Sequence, residues 1–242
     1  FHDGVFHFYH LLDRGHHKAK NGLGAHQWAH FSSTDLVRWQ RHALAIPISK
    51  EEEGSICTGS VFPHGGKFHA FYATRIPGRG ELLSLAVSSD GVNFTKTEPN
   101  PFLSPGPKYA NGFRDPFVFQ NARTGLFHLI VSTTLRADKR ACLAQYVSKD
   151  LKEWSETEPF LVEDHKEVPE CPDYFEWNGW YYLLYSYGQV ARYRISKEPL
   201  GPWQKPPVDI LDGGAARVIK TAAFSNNRRI ATASICTAGS LW

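Results

Sequence analysis

Short runs of aromatic and β-branched residues, separated by Gly, Pro, Asn and Asp, make up most of this 242-residue chain. No long segment places its apolar residues at the spacing of a helix. Short runs bounded by turn-forming residues are typical of β-strands. The pattern therefore predicts an all-β protein.

An aromatic strand that follows a tight turn recurs along the chain. The turns are at Asp3-Gly4, Gly65-Gly66, Gly125 and Asn178-Gly179, with a shorter copy at Asn226-Asn227. Asp-Gly, Gly-Gly and Asn-Gly pairs favour the tight turns of β-hairpins. Each copy therefore predicts a hairpin whose second strand is rich in aromatic residues.

A second recurring pattern is Ser-x-Asp followed by an aromatic residue. It occurs at Ser33–Asp35, Ser88–Asp90 and Ser148–Asp150, with a looser copy at Ser196–Glu198. We interpret Asp35, Asp90 and Asp150 as turn-forming residues that recur because the fold recurs. The copies lie roughly 50 to 60 residues apart, and a repeat of that length holding four strands is typical of a propeller blade.

The repeats predict a five-bladed β-propeller over residues 1–242, in which the first blade lacks its inner strand and the fifth blade is incomplete. Within each repeat the order is strand 1, turn, strand 2, loop, strand 3, turn and strand 4. A β-sandwich is the alternative fold, but a sandwich does not require a motif that recurs at this period. The propeller therefore remains the predicted architecture.

Two acidic residues, Asp115 and Glu170, interrupt otherwise apolar first strands. The repeat alignment gives them equivalent positions on successive blades, so we expect both carboxylates to project into one central cavity. Glycoside cleavage requires a proton donor and a carboxylate that faces the developing positive charge. The pair therefore predicts a sugar-cleaving site, with Glu170 suited to acid/base work and Arg114 tending to keep Asp115 ionised.

The two acidic segments, Phe113-Arg114-Asp115-Pro116 and Glu170-Cys171-Pro172-Asp173, resemble two signatures of the family 32 glycoside hydrolases. These are β-fructofuranosidases: invertases, inulinases and levanases. The resemblance covers nearly the whole chain. The further segments that resemble this family are residues 27–30, 33–39 and 57–60, and Lys220-Thr221 with Arg228-Arg229.

The resemblance assigns roles to both carboxylates. It implies that Glu170 is the general acid/base and that Asp115 is the transition-state stabiliser, which holds sugar hydroxyls together with Arg114. The family's nucleophile is an aspartate on the first inner strand, and the family comparison and the blade alignment both place it just before Phe1. The family's C-terminal β-sandwich is absent from residues 1–242.

The resemblance also implies a substrate pocket. Trp28, Cys57 and Thr58 match positions that line the pocket of the family. Cys57 and Thr58 differ from the family in residue type, so their contacts with substrate remain open. The partner implied is a small carbohydrate: sucrose, a fructo-oligosaccharide or a fructan.

The activity implied is hydrolysis of terminal β-fructofuranosyl units with retention, through a fructosyl-enzyme. A fructosyltransferase of the same fold would use the same acids, so that alternative stays open. Two further alternatives are an inverting arabinan- or xylan-acting propeller hydrolase of family 43 and a non-catalytic sugar-binding propeller. None of these activities requires a cofactor or a metal.

Composition narrows the classes of partner. The net charge is only +3, without a basic block, so there is no electrostatic footprint for nucleic acid. No run approaches the roughly 20 apolar residues that span a membrane. The chain starts at Phe1 and contains no methionine, so we expect a fragment, compatible with either a cytoplasmic or a secreted protein.

Several remaining features have a structural interpretation. We interpret Glu51–Glu53 as a solvated loop and the Pro-rich segment Pro99–Pro107 as a connection between blades. Four widely spaced cysteines are expected to be buried thiols, because they form no CxxC pair: Cys57, Cys142, Cys171 and Cys236. Seven N-terminal histidines suggest a metal site, but the recurrence of His-aromatic pairs favours packing: His2, His7, His10, His16, His17, His26 and His30.

Overall fold

The computed structural model describes residues 1–13, 26–110, 112–212 and 216–235. These residues form β-strands and one 3₁₀ turn, Glu51–Glu53, which confirms the all-β class. None of the described residues belongs to a helix long and apolar enough to cross a membrane. Contacts between residues group the described chain into two compact units, 1–105 with 112–116 and 106–110 with 117–235.

The first unit contains two antiparallel sheets. The three-stranded sheet has the order β1 (Phe6–Asp13), β2 (His26–Ser33) and β3 (Gln40–Arg41). The four-stranded sheet has the order β4 (Ser55–His64), β5 (Lys67–Ile76), β6 (Gly80–Ser88) and β7 (Thr95–Lys96).

The second unit holds most of the remaining strands. Strand β8 (Arg114–Gln120) starts at the end of the first unit. The sheet that contains it has the order β8, β9 (Phe127–Thr134), β10 (Ala141–Ser148) and β11 (Ser155–Glu156). A short strand, β12 (Leu161–Val162), also pairs with β10. The next sheet has the order β13 (Glu170–Trp177), β14 (Trp180–Tyr187) and β15 (Val190–Ser196). A two-stranded sheet pairs β16 (Ala216–Phe224) with β17 (Arg228–Ile235).

The tight turns lie where the sequence predicts hairpins. Gly65 and Gly66 join β4 to β5 with φ of 58° and 70°, and Asn178 and Gly179 join β13 to β14 with φ of 54° and 72°. Positive φ at both central residues is the geometry that suits the right-handed twist of two paired strands. The hairpin prediction is therefore confirmed at these turns.

The Ser-x-Asp motifs form a repeated hydrogen-bonded turn. Ser33 Oγ accepts hydrogen bonds from the backbone N–H groups of Asp35 (3.2 Å) and Leu36 (2.8 Å). Asp35 Oδ1 accepts from the N–H groups of Val37 (2.9 Å) and Arg38 (2.8 Å). The same pattern is present at 88–93 and at 148–153, so the interpretation of these aspartates as turn residues is confirmed.

Each unit has its own apolar core. The first core lies between β2, β4, β5 and β6 and contains Trp28, Ile46, Ile56, Ala70 and Tyr72. The larger core of the second unit contains Phe119, Ile130, Leu143, Leu183 and Tyr185.

Several of the N-terminal histidines pack as stacked rings. Tyr9 stacks on the buried His30 at a centroid distance of 4.4 Å, and His42 stacks on His30 at 4.5 Å. Burial lowers the pKa of His30 to about 3, so this ring is neutral at physiological pH. The packing role is confirmed for these rings. Two histidines of the predicted cluster lie outside the described residues: His16 and His17.

The buried-thiol prediction is confirmed for three cysteines: Cys57, Cys142 and Cys171. The fourth, Cys236, lies outside the described residues. The connection predicted at Pro99–Pro107 joins β7 to β8.

The interpretation of Glu51–Glu53 as a solvated loop is wrong for Glu53. Its carboxylate forms an ion pair with Lys96 Nζ at 2.5 Å and accepts hydrogen bonds from the backbone N–H groups of Ser49 and Lys50. Lys96 also donates to the Pro47 carbonyl at 2.8 Å. These bonds hold the loop that precedes β4. The ion pair among them depends on Lys96, which lies 43 residues after Glu53 in the sequence.

A buried network of charges holds β15 in the second unit. Arg194 is only 3% exposed and donates from Nη2 to Glu163 (2.8 Å) and from Nη1 to Asp209 (2.8 Å). Arg192 Nη1 donates to the other oxygen of Asp209 at 2.8 Å, and the Tyr185 hydroxyl donates to Glu163. Each carboxylate therefore depends on cationic partners that are themselves removed from solvent.

We predict that Arg194→Met lowers the free energy of unfolding by about 3–5 kcal/mol, because it leaves the Glu163 carboxylate without its cation and leaves the buried Asp209 with one arginine fewer. Arg123→Met is the matched control, since Arg123 pairs with Glu198 at 2.5 Å on the surface, where the two side chains are 59% and 55% exposed. That variant should lose only about 0–1 kcal/mol. Urea denaturation of both variants makes the measurement, and equal small losses would contradict the role of the buried network.

Candidate active site

Three strands of the structure, two of which carry candidate site residues, have a β-bulge near their start. A one-residue register shift against the neighbouring strand occurs between Ile56 and Gly59 on β4, between Glu170 and Asp173 on β13, and between Arg217 and Lys220 on β16. A bulge adds one residue to one strand and changes the direction of the side chains around it. Bulges are enriched next to active sites for that reason.

A residue with positive φ near the start of a strand gives a reference point for comparing β8, β13 and β16 with one another. Cys171 and Val218 lie inside their bulges with φ of 53° and 55°, and Asp115 on β8 has a φ of 55°. Asp115 therefore matches Cys171, and Arg114 matches Glu170. By this criterion Asp115 lies one position further along its strand than Glu170 does.

Asp115 is a buried carboxylate at the end of the first unit. Its side chain is 5% exposed, and Arg114 Nε lies 3.7 Å from Asp115 Oδ2. The structure thus places the predicted cation directly beside the predicted carboxylate. A buried carboxylate next to a guanidinium is well suited to stay ionised and to accept hydrogen bonds from hydroxyl groups.

A second ion pair near Arg114 was missed from sequence. Arg75, at the end of β5, donates from Nη2 to Glu81 at the start of β6 (2.7 Å). A Cβ built on Gly112 would lie 3.6 Å from Arg114 Nη1 and 3.9 Å from Glu81 Oε2, so both charged groups border this glycine. The one available signal was a glutamate at the start of the otherwise apolar strand 80–88.

Trp28 and Cys57 are joined within the first unit. The Trp28 indole N–H donates to the Cys57 carbonyl at 2.9 Å, and the two side chains are buried. Burial raises the pKa of the Cys57 thiol, so the group is neutral at physiological pH. Thr58, the next residue of the same bulge, is half-buried.

Glu170 lies in the second unit, at the first residue of β13. Its side chain is half-buried, and Ser186 of β14 is its partner in register. The residue after it, Cys171, is buried in the left-handed conformation. Partial burial of a glutamate is the setting in which a carboxyl group can both donate and accept a proton.

Asp173 anchors β13 to β16 just beyond the bulge. Its carboxylate is 4% exposed and accepts hydrogen bonds from Thr221 Oγ1 (2.6 Å) and Thr221 N (3.1 Å). Burial raises the pKa of the Asp173 carboxyl, and the nearby Lys220 ammonium group opposes that rise. Lys220 also donates to the Pro172 carbonyl, so two successive residues of β16 hold two successive residues of β13.

Arg229 and Arg217 add positive charge to this part of the second unit. Arg229 donates to Thr221 Oγ1 at 2.8 Å and lies 3.8 Å from the centre of the Phe175 ring. Arg217 takes the same place in the β16 bulge as Glu170 takes in the β13 bulge, and it donates to the Gln189 side chain. Sequence reasoning missed Arg217 because nothing local marks the position of a bulge.

The described residues contain no group of three or more His, Cys, Asp or Glu side chains arranged to hold a metal ion. The functional groups of the candidate site are carboxylates, guanidinium groups and hydroxyls. Such groups can transfer protons and can hydrogen-bond to a polyhydroxylated ligand.

A family model provides the first comparison with known proteins. Residues 1–199 match the model described as the N-terminal domain of glycosyl hydrolases family 32. The match includes Arg114, Asp115 and Glu170.

Curated relatives give the second comparison. The chain is 29% identical over 182 residues to a sucrose-6-phosphate hydrolase of Escherichia coli, which covers 71% of this chain and 37% of that protein. It is 27% identical over 221 residues to a levanbiose-producing levanase of Geobacillus stearothermophilus, which covers 84% of this chain and 49% of the levanase. The chain thus spans less than half the length of each of these two relatives.

Solved structures give the third comparison. The structure of sucrose-6-phosphate hydrolase from Lactobacillus gasseri superposes with a TM-score of 0.80 at 20% identity, over 99% of this chain and 53% of that chain. Fructan 1-exohydrolase IIa from Cichorium intybus superposes with a TM-score of 0.78 at 20% identity, over 96% of this chain and 49% of that chain. At this level of identity the likeness establishes a shared fold.

We predict that Thr221→Val lowers the free energy of unfolding by about 2 kcal/mol, because the buried Asp173 carboxylate loses its hydroxyl donor. Thr157→Val is the matched control: Thr157 Oγ1 donates to a backbone carbonyl, that of Gln145, at 3.3 Å. Its loss should be about 0.5–1 kcal/mol. Chemical denaturation monitored by tryptophan fluorescence compares the two, and a Thr221 variant no weaker than the control would refute the anchoring role of Asp173.

Proposed function

This chain belongs to glycosyl hydrolase family 32 through its N-terminal domain, and on that premise we propose that the protein hydrolyses terminal β-fructofuranosyl units of sucrose or fructans. The match over residues 1–199, which includes Asp115 and Glu170, carries the proposal. The names of the relatives support the substrate class, since they include a sucrose-6-phosphate hydrolase and a levanase.

On this proposal Glu170 is the general acid/base. It donates a proton to the glycosidic oxygen as the bond to the anomeric carbon breaks, and it later takes a proton from the water that releases the sugar. The half-buried side chain supports the role, because a carboxyl that is partly removed from water can exchange its proton with a bound substrate.

Asp115 is proposed to stabilise the transition state. The buried carboxylate beside Arg114 would accept hydrogen bonds from ring hydroxyls of the fructosyl unit, while the guanidinium binds neighbouring oxygens. Trp28, Cys57 and Thr58 are proposed to line the pocket for this unit.

The reaction is proposed to proceed with retention. An aspartate N-terminal to Phe1 would attack the anomeric carbon and form the fructosyl-enzyme, which water then hydrolyses. The gene sequence upstream of the Phe1 codon tests this part directly, since it should encode an aspartate within about ten residues.

The architecture that accompanies this function is proposed to be a five-bladed propeller catalytic domain over residues 1–242. Successive antiparallel sheets in which one strand leads into a Ser-x-Asp turn support that proposal, because blades repeat in this way. The first blade would lack its inner strand and the fifth blade would be incomplete.

We predict that Glu170→Gln lowers kcat by about 10²–10⁴-fold, because an amide cannot transfer the proton. Glu167→Gln is the matched control, since Glu167 is an exposed carboxylate three residues earlier that accepts a hydrogen bond from the Gly188 N–H. It should keep kcat within about twofold of the unchanged protein. Release of fructose from sucrose, sucrose 6-phosphate and levan by the full-length protein provides the assay.

Two outcomes would count against the proposal. Equal activity of the Glu170 and Glu167 variants would remove Glu170 from the acid/base role. Net growth of oligosaccharides at high sucrose would replace the hydrolase with a fructosyltransferase, which uses the same acids.

A further inference from the structure

We propose that Ser132 is a positioning residue for Glu170, an inference that rests on the proposed acid/base role. Ser132 lies on β9, is fully buried, and donates from Oγ to the carbonyl of Pro169 at 2.6 Å. Pro169 is the residue directly before Glu170. The hydrogen bond joins β9 to the residue just before β13, across 37 residues of sequence.

The bond acts on Glu170 through the rigid peptide unit between the two residues. The Pro169 carbonyl, the Glu170 nitrogen and the Glu170 Cα lie in one plane, because the peptide bond does not rotate freely. Fixing the direction of the carbonyl therefore fixes the plane from which the Glu170 side chain departs. A hydroxyl that never touches substrate can in this way control where the carboxyl group points.

Hydrogen bonds from neighbouring strands hold the backbone on both sides of Glu170, and the bond from Ser132 is the one on the N-terminal side. On the C-terminal side Lys220 donates to the Pro172 carbonyl, and Thr221 donates to the Asp173 carboxylate. On the N-terminal side Ser132 holds Pro169. A catalytic carboxyl is effective only when its supporting groups hold it close to the productive geometry.

The surroundings of Ser132 argue that the hydroxyl is present for this contact. The residues before it on β9 are almost all apolar and buried: Phe127, His128, Leu129, Ile130 and Val131. A buried hydroxyl costs stability unless it is hydrogen-bonded, and alanine would fill the same position without that cost. The short bond to Pro169 compensates for the burial.

The experiment compares Ser132→Ala with Thr133→Val in the full-length protein. Thr133 is the next residue of the same strand, is also fully buried, and donates to a backbone carbonyl, that of Ala110, at 3.3 Å. We expect Ser132→Ala to lower kcat for sucrose hydrolysis about tenfold with KM unchanged within about twofold, because small displacements of a catalytic group slow the reaction steeply. Thr133→Val should leave both constants within about twofold.

A double variant separates positioning from a general structural effect. In the Glu170→Gln background, Ser132→Ala should lower kcat by less than about twofold, because residues that act as one unit are not additive. A full tenfold loss in that background would show that Ser132 does not act through Glu170. Ser132→Cys, which retains a weak donor, is measured in parallel in case the alanine variant does not fold.

The failures of the two proposals are distinguishable. Normal turnover by Glu170→Gln would overturn the acid/base role itself. A disabled Glu170→Gln variant together with an unchanged kcat in a folded Ser132→Ala protein would overturn only the positioning role, whereas a kcat higher in Ser132→Cys than in Ser132→Ala would support it.

Discussion

The left-handed backbone near the start of β8, β13 and β16 is the constraint on which the candidate site depends. Asp115, Cys171 and Val218 each adopt a left-handed backbone, which costs a non-glycine residue about 1–2 kcal/mol. Such strain persists only where surrounding contacts determine the backbone. At β13 those contacts are the bond from Thr221 to Asp173 and the bond from Lys220 to the Pro172 carbonyl.

Asp115 and Glu170 lie one residue apart relative to the left-handed position of their strands, and this difference gives them different surroundings. Asp115 occupies the left-handed position itself, where it is buried beside Arg114. Glu170 precedes the left-handed position and is only half-buried. The first environment suits an acceptor of hydrogen bonds beside a cation, and the second suits a group that transfers protons. The difference in proposed roles thus follows from where each acid lies relative to the left-handed residue of its strand.

Features that depend on neighbouring residues could be predicted from the sequence. The Asn178-Gly179 hairpin and the Ser33–Asp35 turn depend on local backbone preferences, and both appear where the repeats indicate them. The bulges could not be located, because their position depends on pairing with another strand. Contacts between distant residues, such as Ser132 with Pro169, leave no local pattern in the chain. Glu53 was misjudged for the same reason, since its partner Lys96 is far along the sequence.

We propose that Asp115 and Glu170 act on the same fructosyl unit. A crystal structure of the full-length Glu170→Gln variant soaked with sucrose is the sharpest test of this proposal. We expect the position-170 amide to lie within about 3 Å of the glycosidic oxygen, while Asp115 accepts hydrogen bonds from hydroxyls of the same fructosyl ring. Sucrose bound with its glycosidic oxygen out of hydrogen-bonding reach of position 170, or with no contact to Asp115, would refute the proposal.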